Sequence, residues 1–168
     1  VLVLAKTSAV ARGLKRARCP KNKVYVCRVV GDMEDTTVNL PLREPVSVSV
    51  GSVEVDQVRG KPATTRFRRV FFDAASNTSV VEAFPLTGRM HQIRAHAAAV
   101  GHAIANDARY RGSRSFTRTL APTTPPVPGC EDCVRGPVVA EEALWLHAVS
   151  ATITVPTTQT FTSPAPPW

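Results

Sequence analysis

The stretches TTRFRRVFF (64–72) and TSVVEAFPL (78–86) lie on either side of the short segment DAASN (73–77). Both runs are rich in β-branched and aromatic residues, and the Asp, Ser and Asn between them favour a tight turn. The arrangement predicts an antiparallel pair, and such a pair needs more strands or a helix against it to be stable. Further segments supply them. KVYVCRVVG (23–31) alternates apolar and polar residues and ends in glycine, and ALWLHAVSATITV (143–155) reads as a strong late strand. PVSVSVGSVEVDQV (45–58) alternates strictly around Gly51, which fits a hairpin or a bent strand. The opening VLVLAKT (1–7) has the apolar character of a buried strand. Helical signals are fewer. SAVARGLKRAR (8–18) reads as a helix with Ser8 as its cap and Ala9, Leu14 and Ala17 inward. A second helix is expected from about Arg89, entered through Thr87 and Gly88 and left at Gly101. Strands outnumber helices and run in hairpins, so the expected class is α+β, a mixed and mostly antiparallel sheet with flanking helices.

A chain of 168 residues suffices for one domain with a core, and 43% hydrophobic residues exclude disorder throughout. No apolar run approaches the roughly 18 residues of a membrane span. Residues 117–137 are rich in Pro, Thr and Gly and read as a loop insert, while TSPAPPW (162–168) is extended.

Charge narrows the partner. The formal net charge is +8, and its distribution is uneven. No Asp or Glu precedes Asp32, whereas Lys6, Arg12, Lys15, Arg16, Arg18, Lys21, Lys23 and Arg28 all do. Between Arg59 and Arg118 the acids are Asp73, Glu82 and Asp107, set against a dense arginine series. Such segregation favours a one-sided positive surface of the kind a polyanion binds. Cys130 and Cys133 form one C-x-x-C pair, and a zinc site needs about four ligands with no second pair in the sequence, so no metal site is expected; half a site completed by a partner or a missing segment is the alternative. Cys19 and Cys27 read as structural thiols, and an intracellular, reducing location is the default.

The segment LTGRMHQIRAHAAAVGHAIANDARY (86–110) places Arg89, His91, Gln92, Arg94 and His96 at a helix start. Cations there oppose the helix dipole, so a negative partner is expected. His91 and His96 are five apart and lack an acidic third ligand, which argues against a metal site. No G-x-S-x-G occurs, and neither early cysteine has a placed base.

TGRMHQIRAHAAAVGHAIANDARYRG (87–112) resembles the T-G-R-x-H-Q-I-R-x-H…G-x-P-I-x-G-D-x-x-Y-G signature of the RluA-like RNA pseudouridine synthases. Other segments resemble that family in order: VLVLAKTSAVARGL after its catalytic loop, KVYVCRVVG its K-x-Y-x-A-x-V-x-G strand, LPLREP with GKPATTRFRRV its P-L…G-K-x-A-x-T-x-F segment, and ALWLHAVSATI its late L-x-L-H-A strand. The C-x-x-C before that strand looks like the eukaryotic branch. Ala103 stands where the family often has Pro, and Asn106 where Gly precedes the Asp.

The resemblance implies one pseudouridine synthase-like catalytic domain over 1–168, incomplete at its N-terminus. It implies isomerisation of a flipped-out uridine in structured RNA, with ribosomal RNA favoured and transfer or messenger RNA allowed. No cofactor and no metal are implied. The catalytic Asp belongs to an H-R-L-D-x-x-T-S-G loop expected before Val1. Arg94 is expected to hold that carboxylate. Tyr25 is expected to pack on the base and handle a proton, although a tyrosine on a strand is also an ordinary core residue. Arg89, His91, Gln92, Lys23 and Lys61 are expected near the RNA, and Leu146 and His147 in the pocket wall. A buried structural role remains equally open for His147. Asp107 is expected to shape the loop after the helix. Partners are RNA and a pre-ribosomal particle, with no membrane, and a mitochondrial location is favoured over cytoplasm or nucleus. The alternative is an inactive homologue that binds RNA as a ribosome-assembly factor.

Overall fold

The computed structural model describes residues 5–16, 21–46, 51–112, 144–154 and 158–164. The expected strand at 1–4, the loop insert at 117–137, Cys19, Cys130 and Cys133 lie outside them.

Six strands form one sheet: β1 (Lys21–Val30), β2 (Thr36–Asn39), β5 (Thr64–Asp73), β6 (Thr78–Pro85), β7 (Leu146–Thr154) and β8 (Thr158–Thr162), in the order β2-β5-β6-β1-β7-β8. Every pairing among the described residues is antiparallel. The expected hairpin is β5–β6, with Phe67 opposite Ala83 and Asp73 opposite Thr78. Arg28 on β1 clamps its turn: the guanidinium pairs with Asp73, donates to Thr78 Oγ1 at 2.7 Å and Ser76 Oγ at 2.8 Å, and lies over the Trp145 ring.

The segment 45–58 does not close on itself within the described residues. Its strand β4 (Glu54–Val55) pairs instead with β3 (Leu42–Arg43), as a separate two-stranded sheet. The helix α1 (Ser8–Arg16) is capped by Thr7 rather than Ser8. Thr7 Oγ1 accepts the Val10 N–H at 3.3 Å and its carbonyl the Ala11 N–H at 3.0 Å.

The helix α2 is shorter than expected, Gln92–Ala99, because His91 adopts a left-handed conformation (φ 48°). Arg89 and His91 therefore precede the helix and are not in its first turn. The C-terminal end matches expectation. Gly101 has φ +87°, its N–H bonds Ala98 O at 3.1 Å, and the His102 N–H reaches back to Ala97 O at 2.9 Å, the paired closure of a Schellman motif.

One face of α2 closes the core. Ile93 and Ala97 pack with Cys27, Val29, Phe67, Val81, Ala83, Ile104 and Trp145. Phe67 is fully buried, so truncation to Ala is expected to cost about 3–5 kcal/mol. Burial also pushes the Cys27 thiol up to about 12, keeping it protonated and inert. A second cluster of Leu42, Val53, Ala63, Ala95 and Tyr110 sits where β3 and β4 meet the helix. Among the described residues no helix is long and apolar enough to cross a membrane.

Candidate active site

A cleft of about 180 Å³ opens where β1, the end of β6, the start of α2 and β7 converge. Lys23, Tyr25, Arg89, His91, Gln92, Arg94 and Leu146 all line it, together with Thr87 and Gly88. Strand alternation explains the first set. Cys27 stands opposite Leu146 and Tyr25 opposite Ala148, so Tyr25 and Leu146 share one face of the sheet. The same alternation sends His147 to the opposite face with Val26, where Nε2 lies 3.1 Å from Ser163 Oγ. His147 is therefore not in the pocket wall, contrary to expectation. Lys61 is also outside the cleft. Its backbone bridges to Leu42, and its neighbour Pro62 accepts the Arg89 Nε–H at 3.1 Å, which places Lys61 beside the rim.

Gln92 and His96 anchor the cleft wall from inside. Gln92 is 4% exposed, with all its polar atoms engaged. Its Oε1 accepts from Thr87 Oγ1 (2.7 Å) and the Arg89 N–H (3.0 Å), and its Nε2 donates to Thr64 O (2.9 Å) and Thr65 Oγ1 (3.0 Å). The amide is consumed within the chain, so Gln92 shapes the wall and offers no polar group to RNA. His96 is fully buried, 2.9 Å from Thr65 Oγ1 and 3.0 Å from Leu40 O. Burial lowers its pKa below the usual histidine value, which fits a neutral core imidazole.

Among the described residues, two cations stand at the mouth without an ion-pair partner. The Lys23 Nζ lies beside Gly88, 3.9 Å from where a Cβ would stand. Arg89 is fixed through Nε, and its two Nη groups make no hydrogen bond among the described residues. Tyr25 is half-buried, and burial raises its phenol above the ordinary value, so the hydroxyl keeps its proton at neutral pH.

Arg94 has a partner that was not anticipated. Its Nε and Nη2 donate to the two oxygens of Asp107, each at 2.7 Å. Asp107 does organise the loop after the helix, because its carbonyl accepts from Tyr110 N–H (3.0 Å) and Gly112 N–H (2.8 Å). Its carboxylate, however, reaches back to the cleft arginine. Tyr110 also belongs to the site: its ring lies 4.8 Å from Arg94 Cζ, and its hydroxyl accepts the Val53 N–H at 2.9 Å. The same hydroxyl is 3.1 Å from His91 Nδ1. Burial, then the charges of Arg94 and Arg109, lower the His91 pKa, so a neutral imidazole takes that bond. The sequence signal was present as D-x-x-Y, but nothing in a thirteen-residue separation shows that Asp107 folds back on Arg94. Asn106, where the resembled family has Gly, adopts φ 62°, a conformation that asparagine tolerates better than most residues.

Residues 1–99 match the family model described as RNA pseudouridylate synthase. The chain belongs to the RluA-like RNA pseudouridylate synthase family. It is 36% identical to the dual-specificity RNA pseudouridine synthase RluA of Escherichia coli K12, over 98% of this chain and 68% of that one. It is 43% identical to the mouse pseudouridylate synthase RPUSD2 over 67% of this chain. The chain spans only about 20% of the length of the mouse and human relatives it matches. Among solved structures, human RNA pseudouridylate synthase domain containing 1 superposes with a TM-score of 0.66 at 21% identity, covering 96% of this chain and 62% of that one. That likeness bears on the fold alone.

Proposed function

We propose that this chain forms the base-binding cleft of an enzyme that converts uridine to pseudouridine in structured RNA, with ribosomal RNA as the target. One observation carries the reading: Tyr25, Arg94 and Leu146, distant in sequence, converge on one cleft with Lys23 and Arg89 at its mouth. In this reading the cations hold the RNA backbone on either side of a flipped nucleotide. The Tyr25 ring packs on the uracil, and Leu146 forms part of the pocket wall beside it. The reaction is an isomerisation. The N1–C1′ bond breaks, the base turns, a C5–C1′ bond forms, the C5 proton leaves and N1 takes one up. A carboxylate has to act on the nucleotide, and the family resemblance implies an H-R-L-D loop, not contained in this sequence, as its source. The Arg94 Nη1, unbonded among the described residues, is the group that would hold this carboxylate ionised. In this reading the protonated Tyr25 hydroxyl exchanges a proton with the base.

Names of relatives support the substrate class. One relative in Vibrio cholerae is a ribosomal large subunit pseudouridine synthase C, and one in Saccharomyces cerevisiae is a mitochondrial tRNA pseudouridine(32) synthase. The second supports a mitochondrial location. The test is chemical mapping of pseudouridine in ribosomal and transfer RNA from cells carrying the full-length protein or its Arg94→Ala variant. Loss of one ribosomal RNA mark in the variant supports the proposal. A mark lost from transfer RNA instead would replace the target. No mark dependent on the protein, with RNA binding intact, would establish an inactive RNA-binding homologue.

A further inference from the structure

We propose that Asp107 is a positioning residue for Arg94: it aims the guanidinium into the cleft, so that the rate of the chemical step, and not RNA affinity, depends on its carboxylate. This rests on the enzymatic reading above. Asp107 is 1% exposed and Arg94 18% exposed at the side chain, so the carboxylate is buried behind Arg94, which lines the cleft. Two parallel charge-assisted bonds through Nε and Nη2 fix the guanidinium plane as well as its position. The Tyr110 ring constrains the same plane from one side. Tyr110 is itself tied to Val53 and His91, the residue before α2, so the bracket links both ends of the segment that carries Arg94.

The carboxylate has little freedom to move. The Asp107 N–H donates to Ile104 O at 3.1 Å, and a side chain at Gly112 would stand 2.0 Å from that same carbonyl, so the turn is packed to the backbone. A buried ion pair is a poor device for stability alone, because desolvation consumes much of its Coulombic gain. A device that presents one free edge of a fork is a better account. Asp107 occupies the Nε–Nη2 edge, and Nη1 remains for a second acceptor in the cleft.

The test measures single-turnover pseudouridine formation and RNA dissociation constants for the full-length protein, Asp107→Asn, Arg94→Lys and the double variant. Asp107→Asn keeps the shape but sets an NH₂ group against the guanidinium. It should slow turnover on the order of tenfold to a hundredfold, the scale of misplaced catalytic contacts, with the dissociation constant changed less than about twofold. In the Arg94→Lys background the same substitution should have almost no further effect. A wild-type rate in Asp107→Asn, or equal slowing in both backgrounds, overturns the proposal. Where Asp107→Asn does not fold, Tyr110→Phe decides. It removes the bonds to Val53 and His91 but keeps the ring, and it should slow turnover without weakening RNA binding; an unchanged rate is again a refutation. An inactive wild-type protein sinks the enzymatic reading itself, whereas an active wild type with an unaffected Asp107→Asn sinks only the positioning role.

Discussion

Gln92→Glu changes one NH₂ group to oxygen and leaves the side-chain shape alone. In the native cleft wall the hydrogen bonds run in one direction. The Thr64 N–H donates to Thr87 Oγ1 at 3.0 Å, and the Thr87 hydroxyl donates to Gln92 Oε1. Gln92 Nε2 donates to Thr64 O and Thr65 Oγ1, the Thr65 hydroxyl turns to His96 Nδ1, and the His96 Nε2–H donates to Leu40 O. A glutamate at 92 keeps the acceptor side. On the donor side, an ionised oxygen would face the Thr64 carbonyl at about the 2.9 Å now spanned by an N–H. The neutral acid can restore one of the two donated bonds. Keeping it protonated at pH 7, about 2.7 units above the free value of about 4.3, costs about 3.7 kcal/mol at 1.36 kcal/mol per unit. That cost caps the ionic penalty, because the site can always choose protonation. The donor that is not restored adds about 1 kcal/mol. The variant should therefore be destabilised by up to about 5 kcal/mol at pH 7, and by about 1 kcal/mol at pH 4. The sign follows from linkage: the folded variant holds a proton that the unfolded chain releases above about 4.3, so its deficit grows as pH rises. Urea unfolding of both proteins from pH 4 to pH 8 measures the difference. A deficit below about 1 kcal/mol at pH 7, or one independent of pH, refutes this hydrogen-bond assignment.

Burial lowers the pKa of His96, and that of His91 falls in the same direction. The stability they contribute is complete above the unfolded value of about 6.5 and is lost as pH falls through the lower folded values. Melting temperatures should decline below pH about 6.5, and an NMR titration showing His96 half-protonated at or above that pH in the folded protein contradicts this. Gly112→Ala would place a Cβ 2.0 Å from Ile104 O and 2.8 Å from Asp107 N, so it should cost about 3 kcal/mol or more. Gly13→Ala in α1 meets nothing within 4 Å and should stabilise by up to about 1 kcal/mol; thermal unfolding of the two variants gives opposite signs, or the packing account is wrong. Lys23→Gln and Arg89→Gln should each make the plot of log affinity against log salt shallower by about 0.7–0.9, if each cation meets one phosphate. Unchanged slopes in RNA-binding titrations would remove these residues from the interface.

The β5–β6 hairpin was legible because alternation, β-branched residues and a turn segment all coincide in 64–86. β1, the core of β7 and the glycine exit of α2 were legible for the same reason: each signal is local. β2 and β8 were not anticipated. TTVN and TQTFT are short, polar and largely exposed, and they are strands because β5 and β7 offer them free edges. The partner of β4 was missed because its alternation specifies a strand but not what it pairs with, and the choice fell to Leu42 and Arg43. His147 was misplaced for an avoidable reason. Leu146 and His147 are adjacent, and a period of two forbids both from facing one cleft.

The crowd of cations at the start of α2 is the feature that sequence reasoning judged least well, and the error is physical. Reading Arg89 and His91 as first-turn helix residues made them oppose the helix dipole. The left-handed His91 removes them from the helix, so that conflict does not arise for either. Arg94 does lie in the first turn, and the negative charge it requires comes from Asp107, thirteen residues on, within the same chain. Of the five nitrogen-rich side chains in that stretch, Gln92 and His96 turn inward to hold the wall, and neutral His91 ties the segment to Tyr110. Arg89 and Arg94 keep nitrogen groups at the cleft that make no hydrogen bond among the described residues. On the proposed function, a nucleic acid and a catalytic carboxylate would meet two of these five side chains, Arg89 and Arg94. On that same reading, the smaller demand would suit a site that takes one nucleotide at a time, with Arg94 and its Asp107–Tyr110 bracket as the group for the variants above to probe.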